Sequence, residues 1–586
     1  MADRTAKRAS DRAAQVDGGQ ARRDAGAPHG DAAEAAALDL LLSEAGGTRF
    51  ARFVPGLEAA RLAGGLVRRP RAVARRSAAL ADELARIALG RSQRQPEQGD
   101  RRFDDAGWFE SPFFHRLMQA YLVVGRTVTE LIDDADLGWD DDRKAHFIAE
   151  NLVAALAPTN FPWSNPAVMK RVIETGGLNF LTGARRFARD VRRPPRLPAN
   201  VDTGAFALGR DIALSPGAVV MRDERFELLQ YQPTSSEVRE VPLLIVPPMV
   251  NKFYIFDLAP HRSLIEYLVG RGQQVFVISW RNPTARYRDW ALDTYAGAVM
   301  DALDAVADIS EVERANVLGN CAGGMLVGMV ASRLADIGEQ DRLATLTLGV
   351  CVIDNERSNV VNAFATERSA KLAALASSRK GYLDGRDLAS VFLWLRPNEL
   401  IWPYVVNNWL LGKDPPSFDI LYWNADTTRM PAALHREFLT IATRNSLKRP
   451  GAVTVLGSGV DLSRVTVDSY LVAGIADHIT PWQNCYRTTQ LLGGTKRFVL
   501  STSGHIAAIV NPPSNKRASY RTAGTLTPPS AEEWLSQASL DEGTWWADWD
   551  AWLAEHSGSM RPAPQQLGSD KYAALGKAPG EYVFEP

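Results

Sequence analysis

From Val241 onward the chain alternates short apolar runs with longer helical stretches, and this alternation restricts the fold more than any other feature. The runs are VPLLIVPP (Val241–Pro248), QQVFVISW (Gln273–Trp280), ANVLG (Ala315–Gly319), LATLTLGVCVI (Leu343–Ile353), YLVAG (Tyr470–Gly474) and KRFVLS (Lys496–Ser501). Between them lie segments such as TYAGAVMDALDAVADI and GGMLVGMVASRLADI, whose apolar residues recur at helical spacing. Continuously apolar strands joined through helices make a mostly parallel sheet with helices on both faces, because a parallel connection needs a long crossover. The expected class is α/β, and sites in such sheets lie beyond the carboxyl ends of the strands.

One interval breaks the rhythm. Between Ile353 and Tyr470 the chain becomes long and aromatic, with SVFLWLRPNELIWPYVVNNWLLG and FDILYWNADTT. It falls between two strands, so it reads as a cap inserted at about residues 354–440, over the site. Upstream, residues 36–200 show helical spacing without a strong strand run, and PPRLP (Pro194–Pro198) divides them from an α/β domain over 201–586. Within that helical part, LVRRPRAVARRSAALADELARIALG fits either a surface-seeking amphipathic face or the solvated face of a bundle. Residues 1–35 nearly lack large apolar side chains and are expected to be disordered. Trp534, Trp545, Trp546, Trp549 and Trp552 crowd the tail, where packing on the α/β domain is expected.

Composition excludes some classes. The 586 residues suggest several domains, and 46% hydrophobic with 23% charged residues is ordinary for a globular protein. Lys and Arg total 67 against 68 acidic residues, a net charge of −1 that argues against a nucleic-acid binder. Cys321, Cys351 and Cys485 show no CxxC spacing, so neither a disulfide framework nor a zinc site is expected, and no other metal site is assigned. No signal-peptide core and no run of about 18 apolar residues is found, which points to a cytoplasmic protein without a transmembrane segment.

The chemistry concentrates at Gly319, Asn320, Cys321, Ala322 and Gly323. This Gly-x-Cys-x-Gly follows a strand and opens a helix, the setting of a nucleophile elbow in a fold of α/β-hydrolase type. The helix N-terminus favours a thiolate there. Such an elbow expects an acid and then a histidine after later strands. Asp477 follows YLVAG and His505 follows KRFVLS. His478 is the competing imidazole, but neighbouring side chains at a strand end diverge, so His505 is the expected base. His505 would take the thiol proton and Asp477 would orient the imidazole, since a free cysteine pKa of about 8.5 leaves the thiol mostly protonated. The oxyanion would meet the backbone N–H of Ala322 and a second donor near Met249–Asn251, assigned to Val250. Sulfur suits an acyl group that must stay activated, because a thiol attacking a thioester exchanges one thioester for another.

These residues resemble a known family, the bacterial polyhydroxyalkanoate (PHA) synthases of class I and class II. The resemblance covers about residues 100–586 and rests on PPMVNKFYIFDL, VISWRNP, NVLGNCAGGM, LRPNELIWPYVVNNWLLG, FDILYWNAD, DHITPW and SGHIAAIVNPP. It implies that Cys321 carries the acyl group, with Asp477 as triad acid and His505 as base. It also implies (R)-3-hydroxyacyl-CoA as substrate, a growing polyester as product, a homodimer, and work at the granule surface assisted by the N-terminal region. Coenzyme A is then the leaving group and no cofactor is expected. Two residues depart from the family pattern: Asn320 stands where an aromatic or small residue is usual, and Met325 where Thr or Leu is. Both bear on acyl preference rather than on the reaction. Lys516 and Arg517 follow His505 in sequence, and surface solvation is their expected role.

Two other readings compete. A Cys-dependent α/β-hydrolase acting as thioesterase or polyester depolymerase would carry the same three residues. A surface-binding protein using the basic N-terminal helices would not need them.

Overall fold

The computed structural model describes residues 57–355, 367–477 and 479–586; the expected disordered tail at 1–35 and His478 lie outside the described residues. The N-terminal part is helical: α1 (Leu57–Val67), α2 (Pro70–Ala88), α3 (Pro112–Asp134), α4 (Trp139–Ala155), α5 (Pro166–Thr175) and α6 (Leu178–Arg192). Proline opens α2, α3 and α5, where its missing N–H costs nothing. Asn165 caps α5 through its side chain, and Gly176, at φ 58°, closes it. The arginine-rich stretch forms α2, and its Arg76 reaches Glu130 and Asp134 of α3 at 2.8 and 2.7 Å. Its basic face is therefore turned partly onto an acidic neighbour, as in a solvated bundle.

The α/β part is built on one sheet: β1 (Gly217–Arg222), β2 (Phe226–Tyr231), β3 (Leu243–Val246), β4 (Val275–Trp280), β5 (Ala315–Asn320), β6 (Leu343–Gly349), β7 (Ser469–Gly474), β8 (Lys496–Ser501), β9 (Ser519–Thr522), β10 (Ser539–Glu542) and β11 (Gly576–Lys577). Its order is β10-β9-β8-β7-β6-β5-β3-β4-β2-β1-β11. The parallel centre, β8-β7-β6-β5-β3-β4, consists of the six expected strands. Alternate residues feed opposite cores: Leu244, Val246 and Val317 pack on one face, Leu243, Ile245 and Leu318 on the other. Both faces are covered, so the strands read as continuous apolar runs.

The edges are antiparallel and were not visible as alternation. In β2 the reason is chemical. Glu227 and Gln230 are buried, and Glu227 accepts from Arg222 at 2.8 Å and from the backbone N–H groups of Glu581 and Tyr582. Polar residues inside a strand mask its pattern. The run LATLTLGVCVI also ends earlier than its composition suggests. Val350 has φ 41°, which turns the chain away at Gly349.

Helices α7 (Leu292–Ser310) and α8 (Ala322–Ile337) cover one face. The insertion between β6 and β7 holds α9 (Glu367–Lys380), α10 (Gly385–Leu395), a π-turn at Val405–Leu410, α11 (Asp419–Ala425) and α12 (Ala432–Arg444). It leans on the N-terminal helices. Trp409 Nε1 donates to Asp190 at 2.9 Å, Asn179 Nδ2 to the Leu410 carbonyl at 2.7 Å, and Asn408 Nδ2 to the Ala199 carbonyl at 2.6 Å. Downstream lie α13 (His505–Val510) and α14 (Trp545–His556). The tail tryptophans pack on the sheet as expected, but on opposite sides of it: Trp534 joins the α8 face, while Trp545, Trp546 and Trp549 join the other.

Candidate active site

Cys321 sits between β5 and α8, with φ 50° and ψ −121°, a strained conformation for a non-glycine residue. Its N–H donates to the Gly349 carbonyl at 2.9 Å, pinning the turn to β6. The flanking glycines are required by space. A Cβ on Gly319 would lie 2.5 Å from Val327 Cγ2, and one on Gly323 would overlap the Val246 carbonyl. The helix can approach the sheet only without those side chains.

Asp477 and His505 come from the loops after β7 and β8. His505 Nδ1 lies 2.7 Å from Asp477 Oδ2. Asp477 is fully satisfied: Ile479 N–H and Thr480 N–H donate to Oδ1 at 2.8 and 2.9 Å, and Thr480 Oγ1 donates to Oδ2 at 2.6 Å. Burial alone would raise the Asp477 pKa, but the His505 charge and these hydrogen bonds leave it lowered. Burial likewise opposes charge on His505. Asp477, and hydrogen bonding to the Cys321 sulfur, outweigh it and raise the imidazole pKa to about 10. The structure thus brings Cys321, His505 and Asp477 together. Thr480 is the participant that sequence reasoning missed. Its signal was available in Asp-x-x-Thr, a spacing at which a side-chain carboxylate collects the following N–H groups.

The three residues stand in a cavity of about 2850 Å³. Its walls come from the sheet ends, from the insertion through Leu393 and Trp402, and from the N-terminal helices through Tyr121 and Glu150. Ligand sites usually measure about 300–1,000 Å³, so this space admits more than one small molecule. The insertion therefore borders the space above the sheet, as its place in the sequence suggested. Val250 lines the cavity in the loop after β3, and Ala322 is the first residue of α8. Neither amide has a hydrogen-bond acceptor among the described residues.

Arg102, Arg396 and Arg521 also line the cavity. Arg102 is held by Asp100 at 2.7 Å, and Arg396 reaches the Ala476 carbonyl at 3.3 Å, one residue before Asp477. Lys516 and Arg517 are exposed to solvent. Cys351 and Cys485 are buried, which pushes both thiols up, away from nucleophile chemistry. Among the described residues, Asp133, Asp142 and His146 are the one group close enough to hold an ion. His146 already pairs with Asp133 at 3.0 Å, and no ligand role is assigned to it. No helix among the described residues is long and apolar enough to cross a membrane.

A central parallel sheet, an elbow after β5, and an acid and a histidine after two later strands define a protein of the α/β-hydrolase fold. Residues 242–512 match the family described as alpha/beta hydrolase fold. Residues 99–268 match the family described as Poly-beta-hydroxybutyrate polymerase (PhaC) N-terminus. The chain is 43% identical over 519 residues to poly(3-hydroxyalkanoate) polymerase 1 of Ectopseudomonas oleovorans, covering 89% of this chain and 92% of that one. It is 38% identical over 504 residues to the poly(3-hydroxyalkanoate) polymerase subunit PhaC of Cupriavidus necator, covering 85% of each. The chain belongs to the poly(3-hydroxyalkanoate) polymerase family.

Proposed function

We propose that this chain polymerises (R)-3-hydroxyacyl groups, delivered as coenzyme A thioesters, into polyester through an acyl-Cys321 intermediate. The observation that supports this most is a cysteine elbow that shares, with a paired histidine and aspartate, a cavity far larger than one thioester carbonyl needs. The Cys321 thiolate attacks the thioester carbonyl while His505 holds the proton. The oxyanion is met by the N–H groups of Ala322 and Val250. Collapse breaks the carbon–sulfur bond to coenzyme A, whose thiolate takes the proton from His505 and leaves as the thiol. A hydroxyl from a second unit or chain end then gives its proton to His505 and attacks the acyl-cysteine. An ester forms, and Cys321 leaves as thiolate. Asp477, held by Thr480, keeps the imidazole oriented and stabilises its charge. The transfer balances with these groups alone, so no cofactor is proposed.

Arg102, Arg396 and Arg521 supply the guanidinium chemistry that coenzyme A phosphates require. Granule association belongs to the same proposal. Leu156, Trp163, Ile173, Leu178, Leu181 and Phe187 of the N-terminal part are large and exposed, the kind of surface an apolar polymer would cover. The homodimer is part of the proposal too, and a solution mass measurement checks it.

The test is product analysis with labelled (R)-3-hydroxybutyryl-CoA and a medium-chain analogue. Polymer with coenzyme A release is expected from the native chain, and neither polymer nor labelled protein from Cys321→Ala. Free acid as the sole product would favour the thioesterase reading, and polymer from Cys321→Ala would refute the intermediate.

A further inference from the structure

The last residue of β5, Asn320, is only 5% exposed, and its Oδ1 has no hydrogen-bond partner. Burying an uncompensated amide is costly, so such a group persists where something else satisfies it. The fold makes room for it deliberately. Gly349 faces Asn320 across the β5–β6 ladder, and a Cβ there would fall 2.5 Å from Asn320 Oδ1. Gly349 is not among the residues of positive φ, so space for the carboxamide, not backbone freedom, accounts for the missing side chain. Asn320 also lines the cavity that holds Cys321, whose walls include the apolar side chains of Ile255, Phe256, Val350 and Ile509. Through the period-2 alternation it shares the sheet face of Leu318, the face on which Val350 and Ile509 pack.

A buried polar side chain in the wall of a ligand cavity fixes the position of one ligand heteroatom. We propose that Asn320 is a specificity-determining residue whose carboxamide hydrogen-bonds the 3-oxygen of the acyl group carried on Cys321. The inference rests on the acyl-transfer reading and goes beyond it by naming the atom recognised. Asn320 and Cys321 line the same cavity, and the 3-oxygen of an acyl group on the sulfur lies three carbons out in that shared space. A carboxamide offers two donors and one acceptor, and rotation about its last torsion presents either end. It therefore satisfies a free 3-hydroxyl as the unit is loaded and the ester oxygen once a chain is attached.

The experiment compares first-turnover loading of Cys321 from (R)-3-hydroxybutyryl-CoA and from butyryl-CoA, read as coenzyme A release and as intact protein mass. The proteins are the native chain, Asn320→Leu and Asn320→Ala, with melting temperature measured on each; the alanine variant serves if leucine prevents folding. The native chain should prefer the hydroxylated thioester. Each variant should lose about tenfold on it, the scale of one hydrogen bond, while butyryl loading stays within about twofold. An unchanged ratio between the two thioesters in the folded variants would overturn the assignment, whether both rates fall or neither does. So would a native chain that loads both equally. Loading of neither by the native chain would refute acyl transfer itself, and this inference with it.

Discussion

At the residue scale the decisive contacts surround Asp477, whose two oxygens collect three N–H or O–H donors besides His505. Thr480→Val removes the hydroxyl donor while keeping the shape. It should slow Cys321 loading about tenfold with little change in apparent substrate affinity, measured by single-turnover kinetics. The His505 pKa gives a second expectation. It is raised from the ordinary value of 6.5 to about 10, so its contacts contribute stability that is complete below the ordinary value and disappears as pH rises through about 10. The melting-temperature gap between the native chain and His505→Gln should be widest near about pH 6 and shrink by about pH 10.5. A gap constant across that range would contradict the pairing.

At the scale of elements, the insertion is held by the N-terminal helices as much as by the sheet. Gly183 of α6 lies against the backbone of Trp409 in the π-turn, so closely that a Cβ would overlap the Trp409 carbonyl. Gly183→Ala should therefore cost about 1–3 kcal/mol by overpacking, and limited proteolysis should cut the insertion faster than in the native chain. Equal cleavage rates would show that the two parts do not depend on each other. This docking also means that deleting the helical region would disturb the cavity. Point changes on its exposed face separate the proposed granule binding from the proposed acyl transfer more cleanly. Ile173→Lys with Leu181→Lys should reduce co-sedimentation with polymer and leave first-turnover loading within about twofold.

Over the whole molecule, the C-terminal residues and the insertion converge on the loop after β3. Lys252, two residues beyond Val250, is buried. It donates to the carbonyls of Val583 and Glu585 at 2.7 and 3.1 Å and pairs with Asp426 of the insertion at 2.8 Å. Removing residues 582–586 would leave that ammonium with Asp426 as its remaining partner, an expensive state for a buried charge. The truncated chain should load Cys321 more slowly by about tenfold or more, since the loop proposed to meet the oxyanion is no longer held by the tail. An unaltered loading rate would detach the tail from the site.

What the sequence determined by itself was local chemistry. The six parallel strands were legible because both their faces are buried, and the order Cys321, Asp477, His505 because each follows such a strand. His505 over His478 was a choice the sequence could make in principle, but it rested on strand-end geometry, and His478 lies outside the described residues. Strand β2 does not read as a strand in the sequence because Glu227 and Gln230 are buried among partners far along the chain. Thr480 was legible as the Thr of Asp-x-x-Thr, but only the fold sets its hydroxyl on the same Asp477 oxygen that pairs with His505. Tertiary structure alone decided that N-terminal segments between residues 94 and 165, the insertion and the ends of the sheet would wall one cavity. Those contacts join residues hundreds of positions apart, where periodicity carries no information. It also decided that Asn320 would be buried without a partner, opposite a glycine that leaves it room.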